Sequence, residues 1–253
     1  AFSVCFFLFW CIFTLTICLN FSLFKNLAAL ALAGLLLLAG RAAAGPVDRM
    51  SPRAFRLLFA LLLCAAFAGS FWMAYQMRIH LPTDTDIIFT SVADILRDGR
   101  LDEANPAIDA SYFPGLALYT NNDYFCRYPN NIGLLMLYVG LYAVCKGFGF
   151  EAGTDAGQAP AIFLTALAVA ATVFLLCRCA RLLFQRNSCV LFTLLLCYAF
   201  LPFTFGISNF YTDLWVVFFA VAGVYCYLRA KQSGASSLLR LFTCGVLLAA
   251  GIQ

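Results

Sequence analysis

Residues 57–77, LLFALLLCAAFAGSFWMAYQM, run without one charged side chain. At about 1.5 Å per residue a helix of that length reaches across roughly 30 Å of hydrocarbon, the thickness of a bilayer core. Comparable apolar runs lie at 3–24, 27–40, 131–148, 161–182, 188–206 and 214–228, and another opens near Leu238. The chain is 64% hydrophobic and 11% charged with a mean hydropathy of +0.90, where soluble domains hold roughly 45–50% apolar residues. The runs lack the residue-by-residue alternation of outer-membrane strands. The predicted fold is therefore an all-α polytopic membrane protein, a helical bundle in lipid. The first run, AFSVCFFLFWCIFTLTICLNF, has no basic leader and no small-residue cleavage site, so it reads as a retained segment. Apolar runs at both termini lead us to expect part of a longer polytopic protein.

The basic residues orient the spans. RAAAGPVDRMSPRAFR carries four arginines against one aspartate, RCARLLFQR carries three arginines, and Arg229, Lys231 and Arg240 form a third cluster. The positive-inside rule assigns all three to the cytoplasm of a plasma (inner) membrane. Residues 78–130 differ: they hold eight of the twelve acids against four arginines, and are expected to form one large external loop. The division that follows is an N-terminal membrane hairpin with a cytoplasmic basic loop over 1–56, and a membrane module over 57–253. Two apolar segments, 131–148 and 161–182, then lie between an outer loop and a cytoplasmic cluster, where an odd number of crossings is needed. The first is short, holds Gly133 and Gly140, and leads to the acidic Glu151 and Asp155. It is expected to be a juxtamembrane or re-entrant helix, tolerated at membrane depth when packed on protein; the alternative is that the charge rule misleads once.

Most of the twelve cysteines sit in or beside apolar runs, where they act as small hydrophobes. Only Cys126 is in a polar loop, so no disulfide framework is expected, and with His80 as the single histidine no zinc site is predicted. The expected partners are lipids, not nucleic acid.

In TDTDIIFTSVADILRDG, Ile88, Val92, Ile95 and Leu96 recur at helical spacing while Asp86, Thr90, Asp94 and Asp98 take another face. That pattern predicts an amphipathic helix along the outer surface, stopped by Gly99. One acid at its start is explained by capping. Asp84 and Asp86 make two, and the second is a candidate for chemistry. In YTNNDYFCRYPNNIGLL, Pro129 is expected to set an extended approach and Asn130 or Asn131 to cap the next helix. Arg127 stands where the chain re-enters the membrane, suited to bidentate contact with a lipid phosphate. In FYTDLWVVFF, Thr212 or Asp213 would cap a span, yet an acid at a membrane boundary also asks for a partner. Tyr124, Tyr128, Asn130 and Tyr211 flank these charges as candidate substrate contacts.

The order of an apolar span, TDTDIIFTSVADILRDG, YFCRYPNN and YTDLWVVFF resembles the membrane glycosyltransferases of the GT-C fold, the polyprenyl-phosphate-sugar-dependent enzymes that include protein mannosyltransferases and aminoarabinose transferases. The resemblance covers about residues 57–229. It implies an acceptor-activating acid at Asp86 or Asp84, a lipid-phosphate contact at Arg127 and a second-loop acid at Asp213. Relatives often carry Asp-Glu where this chain has Asp-Thr-Asp, and Pro-Pro where it has Tyr128-Pro129-Asn130. Its implied donor is a polyprenyl-phosphate sugar.

The chemistry fits the residue types. A sugar on a lipid phosphate carries its own leaving group, so transfer needs a carboxylate to take the acceptor's proton and a cation to hold the departing phosphate. Such a displacement inverts the anomeric centre and needs no nucleophilic Ser or Cys. A divalent cation could bridge Asp86 and Asp213, but no ligand cluster demands one. Asp84 is assigned to capping and Asp86 to the base. The rival class is a transporter or flippase for lipid-linked or polar solutes, which would need acids at mid-membrane rather than at one face.

Overall fold

The computed structural model describes residues 23–77, 84–101, 121–199, 206–208, 212–232 and 243–247. Among them lie eight principal helices: α1 Leu23–Asp48, α2 Pro52–Gln76, α3 Asp84–Asp98, α4 Asn121–Arg127, α5 Asn130–Cys145, α6 Gln158–Phe184, α7 Asn187–Ala199 and α8 Thr212–Gln232. Single 3-10 turns at Lys146–Phe148 and Gly206–Ser208 complete α5 and precede α8. No strand occurs among the described residues.

Local sequence accounts for the boundaries. Ser51 caps α2 by accepting a 3.3 Å hydrogen bond from the Ala54 N–H, and Pro52 follows in the first turn, where a missing N–H is harmless. Gly99, at φ +71°, ends α3 in the left-handed conformation and donates its N–H to the Ile95 carbonyl at 3.0 Å.

Ring contacts fix the directions. Phe59 meets Phe174, at 6.2 Å between centroids, while Phe67 and Phe71 meet Phe163 at 5.6 and 5.9 Å. Position rises on α2 as it falls on α6, so the two are antiparallel. The Cys177 thiol donates to the Val190 carbonyl at 3.6 Å across the α6–α7 hairpin. The Gln232 side chain donates to the Leu182 carbonyl at 2.8 Å. Since α8 packs along α6, it must run parallel to it from that anchor.

The basic segments thereby gather at one end. Asn187 Nδ2 donates to the Val47 carbonyl at 3.4 Å, and Ser188 donates its N–H and hydroxyl to the Asp48 carboxylate at 2.8 and 3.0 Å. The end of α1, the start of α2, the α6–α7 link and the end of α8 meet there.

Among the described residues four helical segments are long and apolar enough to cross a membrane by length and composition: Pro52–Gln76, Asn130–Phe148, Gln158–Phe184 and Thr212–Gln232. Large apolar side chains point outward from them, Leu57, Leu61 and Trp72 among them, each at least 60% exposed. A surface of that kind belongs in lipid. The chain is an α-helical membrane protein.

The membrane segments depart from the sequence reading at α1. The break expected near residue 25 and the loop expected from Arg41 are both helical, within the continuous 26-residue α1. Ala42, Ala43 and Ala44 are strong helix formers, and Pro46 falls in the last turn, so nothing stops the helix earlier. The run expected at 188–206 is helical from Asn187 to Ala199, and residues 200–205 lie outside the described residues. The segment expected to be re-entrant, α5 with its 3-10 extension, is long enough to cross by length and composition. Because α2 and α6 are antiparallel, residues 77 and 158 lie at the same end of the bundle. A single passage by α5 would separate them.

The core at that end is built from α3, α4, α5 and the first turns of α6. Phe89 of α3 stacks on Tyr138 at 5.6 Å and meets Tyr142 edge-on at 5.9 Å. Tyr142 donates its hydroxyl to the Gly157 carbonyl, and the Tyr138 hydroxyl lies 3.3 Å from Thr165 Oγ1. These contacts reach only the opening of α6, while the principal neighbour of α5 is the amphipathic α3.

Candidate functional site

Asp86 occupies the first turn of α3 and is half-buried; Thr90 Oγ1 donates to its backbone carbonyl at 2.8 Å. The side chain of Asp84 and the whole of Tyr211 lie outside the described residues. The apolar stripe of α3 is buried as its spacing predicts, through Ile88 and Val92. The polar stripe is narrower than expected. Asp94, assigned to the solvent face, is only 2% exposed, and Ser91 is fully buried. Arg97 grips Asp94 through Nη2 at 3.0 Å and Asp98 through Nε at 2.7 Å. The reason is that α3 is covered over more than half its circumference, so a single apolar stripe understates what is enclosed.

The approach to α5 also differs from expectation. Pro129 is itself α-helical, at φ −64° and ψ −22°, and makes no side-chain cap. Tyr128 N–H still bonds the Tyr124 carbonyl at 2.9 Å and Ile132 N–H already bonds the Pro129 carbonyl at 3.1 Å. The result is a tight helical corner, not an extended lead-in. Asn130 and Asn131 fall inside the first turn of α5 and do not cap it. Asn131, buried, donates Nδ2 to the Tyr124 hydroxyl at 2.6 Å and accepts from Asn130 Nδ2 at 3.3 Å.

That pairing ties together the corner on which the charged group stands. Tyr124 is buried against Phe125 and Tyr128, with centroids 5.1 and 5.0 Å away. Arg127 stands one helical turn after Tyr124, exposed, in the last turn of α4, where the negative helix end favours a cation. Tyr128 and Asn130 are exposed beside it. Asn131 was not singled out as a contact by sequence; the signal was its seven-residue spacing from Tyr124 across the proline corner.

Asp213 lies exposed in the first turn of α8, where the helix dipole stabilises a carboxylate. Thr212 is the first residue of α8. Leu214 and Trp215 beside Asp213 pack on the common core. The elements carrying Asp86, Arg127 and Asp213 thus all contact α5, at the end of the bundle away from the arginine clusters. Among the described residues no three His, Cys, Asp or Glu side chains converge in a metal-binding group, and the described cysteines are free.

The chain matches no family model, no curated protein and no solved structure.

Proposed function

We propose that the chain is the catalytic part of a membrane glycosyltransferase that moves a sugar from a polyprenyl-phosphate donor to an acceptor hydroxyl at the outer face of a plasma (inner) membrane. The observation that carries this reading is the gathering of α3, α4 and the start of α8 around α5. An acid, a cation and a second acid from distant parts of the sequence are thereby held on one hub at one end of an apolar bundle.

In the proposed reaction the acceptor oxygen attacks the anomeric carbon, and the bond from that carbon to the phosphate oxygen breaks, its electron pair leaving with the phosphate. Asp86 takes the acceptor's proton and Arg127 holds the departing phosphate. Configuration inverts in one displacement. Asp213 faces the same work from α8, and the rings of Tyr124 and Tyr128 flank the phosphate contact. Asp84 is kept for helix capping.

The test is transfer of labelled sugar from polyprenyl phosphate by membranes carrying the full-length protein. Asp86→Asn is expected to lower the rate by at least about 100-fold, the ordinary loss for a general base, with Asp84→Asn close to wild type. Unchanged transfer in Asp86→Asn sinks the assignment of the base. Uptake of a lipid-linked or polar solute without transfer would sink the reaction itself.

A further inference from the structure

The arginines at the other end of the bundle have no part in that chemistry, and among the described residues Arg49, Arg178, Arg181 and Arg186 form no ion pair. Arg49 follows α1, Arg178 and Arg181 lie in the last two turns of α6, and Arg186 stands in the link to α7; all four are exposed. The hydrogen bonds from Asn187 and Ser188 to Val47 and Asp48 draw these segments together, although they lie about 140 residues apart in sequence. Arg181 Nη1 donates to Asn187 Oδ1 at 2.6 Å, fixing that guanidinium on the junction.

One carboxylate stands among the four cations. Both Asp48 oxygens are already engaged by Ser188, at 2.8 and 3.0 Å, and Arg186 acts on it only through space. At the opposite end, by contrast, Arg97 is paired with both Asp94 and Asp98. Toward the middle of the bundle from the patch the surface is apolar: Phe174, one turn before Arg178 on α6, is 42% exposed. Guanidiniums above exposed hydrocarbon match a molecule with a phosphate above acyl chains. A free phosphate would account for the charge and not for the apolar border.

We propose that the junction of α1, α6 and α7 is a binding site for an anionic phospholipid, whose headgroup phosphate is held by Arg49, Arg178, Arg181 and Arg186 and whose acyl chains run toward the middle of the bundle past Phe174. A guanidinium offers two parallel donors to a phosphate, and several on one fixed junction hold it better than scattered surface charge. Because α1 ends and α7 begins there, occupancy also ties the two helices together. The bound lipid therefore stabilises the fold, by linkage.

The experiment uses the purified full chain in a neutral detergent, with its unfolding midpoint followed while phosphatidylglycerol, phosphatidylcholine or inorganic phosphate is titrated. Phosphatidylglycerol is expected to raise the midpoint, with an effect that shrinks as NaCl increases; the other two are expected to do little. Arg178→Gln/Arg186→Gln should weaken the phosphatidylglycerol response about fivefold for each arginine removed. Arg178→Lys/Arg186→Lys should restore much of it, and Lys146→Gln, at the opposite end, should leave it unchanged. An equal response to phosphatidylcholine overturns the proposal, as does an equal response to inorganic phosphate or a Gln variant as responsive as wild type. If the Gln variant does not fold, the lipid preference and salt dependence of the wild-type chain decide alone.

Discussion

Asp94 and Asp48 are two carboxylates with opposite surroundings, and each makes a separate prediction. Asp94 is enclosed on α3, and a buried carboxylate stripped of a cation is a large penalty. Arg97→Met is therefore expected to destabilise the fold by about 1–3 kcal/mol, moderated because Arg97 itself is 60% exposed. Asp98→Ala, which loses a half-exposed partner of the same arginine, should stay below about 1 kcal/mol. Denaturant titration of the two variants in mixed micelles gives the order; the reverse order would mean that Asp94 does not depend on Arg97. Asp48 is exposed, and the Ser188 backbone N–H, with further help from its hydroxyl and from Arg186, holds its carboxyl below the usual carboxylate range. A depressed value contributes stability above the unfolded pKa and loses it as the pH falls through the folded one. The midpoint of wild type should therefore drop from about pH 4 downward more steeply than that of Asp48→Asn. Parallel acid profiles for the two proteins would count against that assignment.

At the scale of elements, the corner between α4 and α5 decides where Arg127 points. The bond between Asn131 Nδ2 and the Tyr124 hydroxyl ties the corner from inside. Tyr124→Phe leaves a buried amide donor short of its partner, a loss of about 1–3 kcal/mol. If Arg127 is the phosphate contact, the same change should raise the apparent KM for the lipid donor more than it lowers kcat. A fall in kcat alone would detach the corner from donor binding. Helix α3 shows how far such elements could be read from sequence. Its start, its length and its stop at Gly99 were legible because apolar spacing and a glycine in a left-handed position are local signals. The burial of Asp94 and Ser91 was not, since it depends on what covers the helix from outside its own stripe. The proline corner was misread for the same reason. Pro129 restricts its own angles and those of Tyr128, but whether the chain extends or folds into a helical turn is settled by the Tyr124–Asn131 contact seven residues apart.

At the scale of the whole molecule, hydropathy made the class and most of the spans legible, since a lipid-facing helix must be apolar on its outside as well as its inside. The fate of α5 was not legible from hydropathy alone. With its 3-10 extension it is 19 residues long and qualifies as a span, yet it is bracketed by α2 and α6, whose ring contacts make them antiparallel. The connecting segment must leave and return at one end. If α5 crossed alone, Cys126 before it and Phe148 after it would face opposite compartments. On the packing described above they share one, and Lys231 at the end of α8 faces the other. All three positions are exposed. The check is a chain with its other cysteines replaced, carrying Cys126, Phe148→Cys or Lys231→Cys singly in sealed vesicles, challenged with a membrane-impermeant maleimide. Cys126 and Phe148→Cys are expected to react from the same side and Lys231→Cys from the opposite one. Reaction of Cys126 from the side of Lys231→Cys, with Phe148→Cys reacting from the other, would make α5 a true crossing. It would then separate Arg127 from the acid of α8, because α8 begins at the end of the bundle where α6 begins.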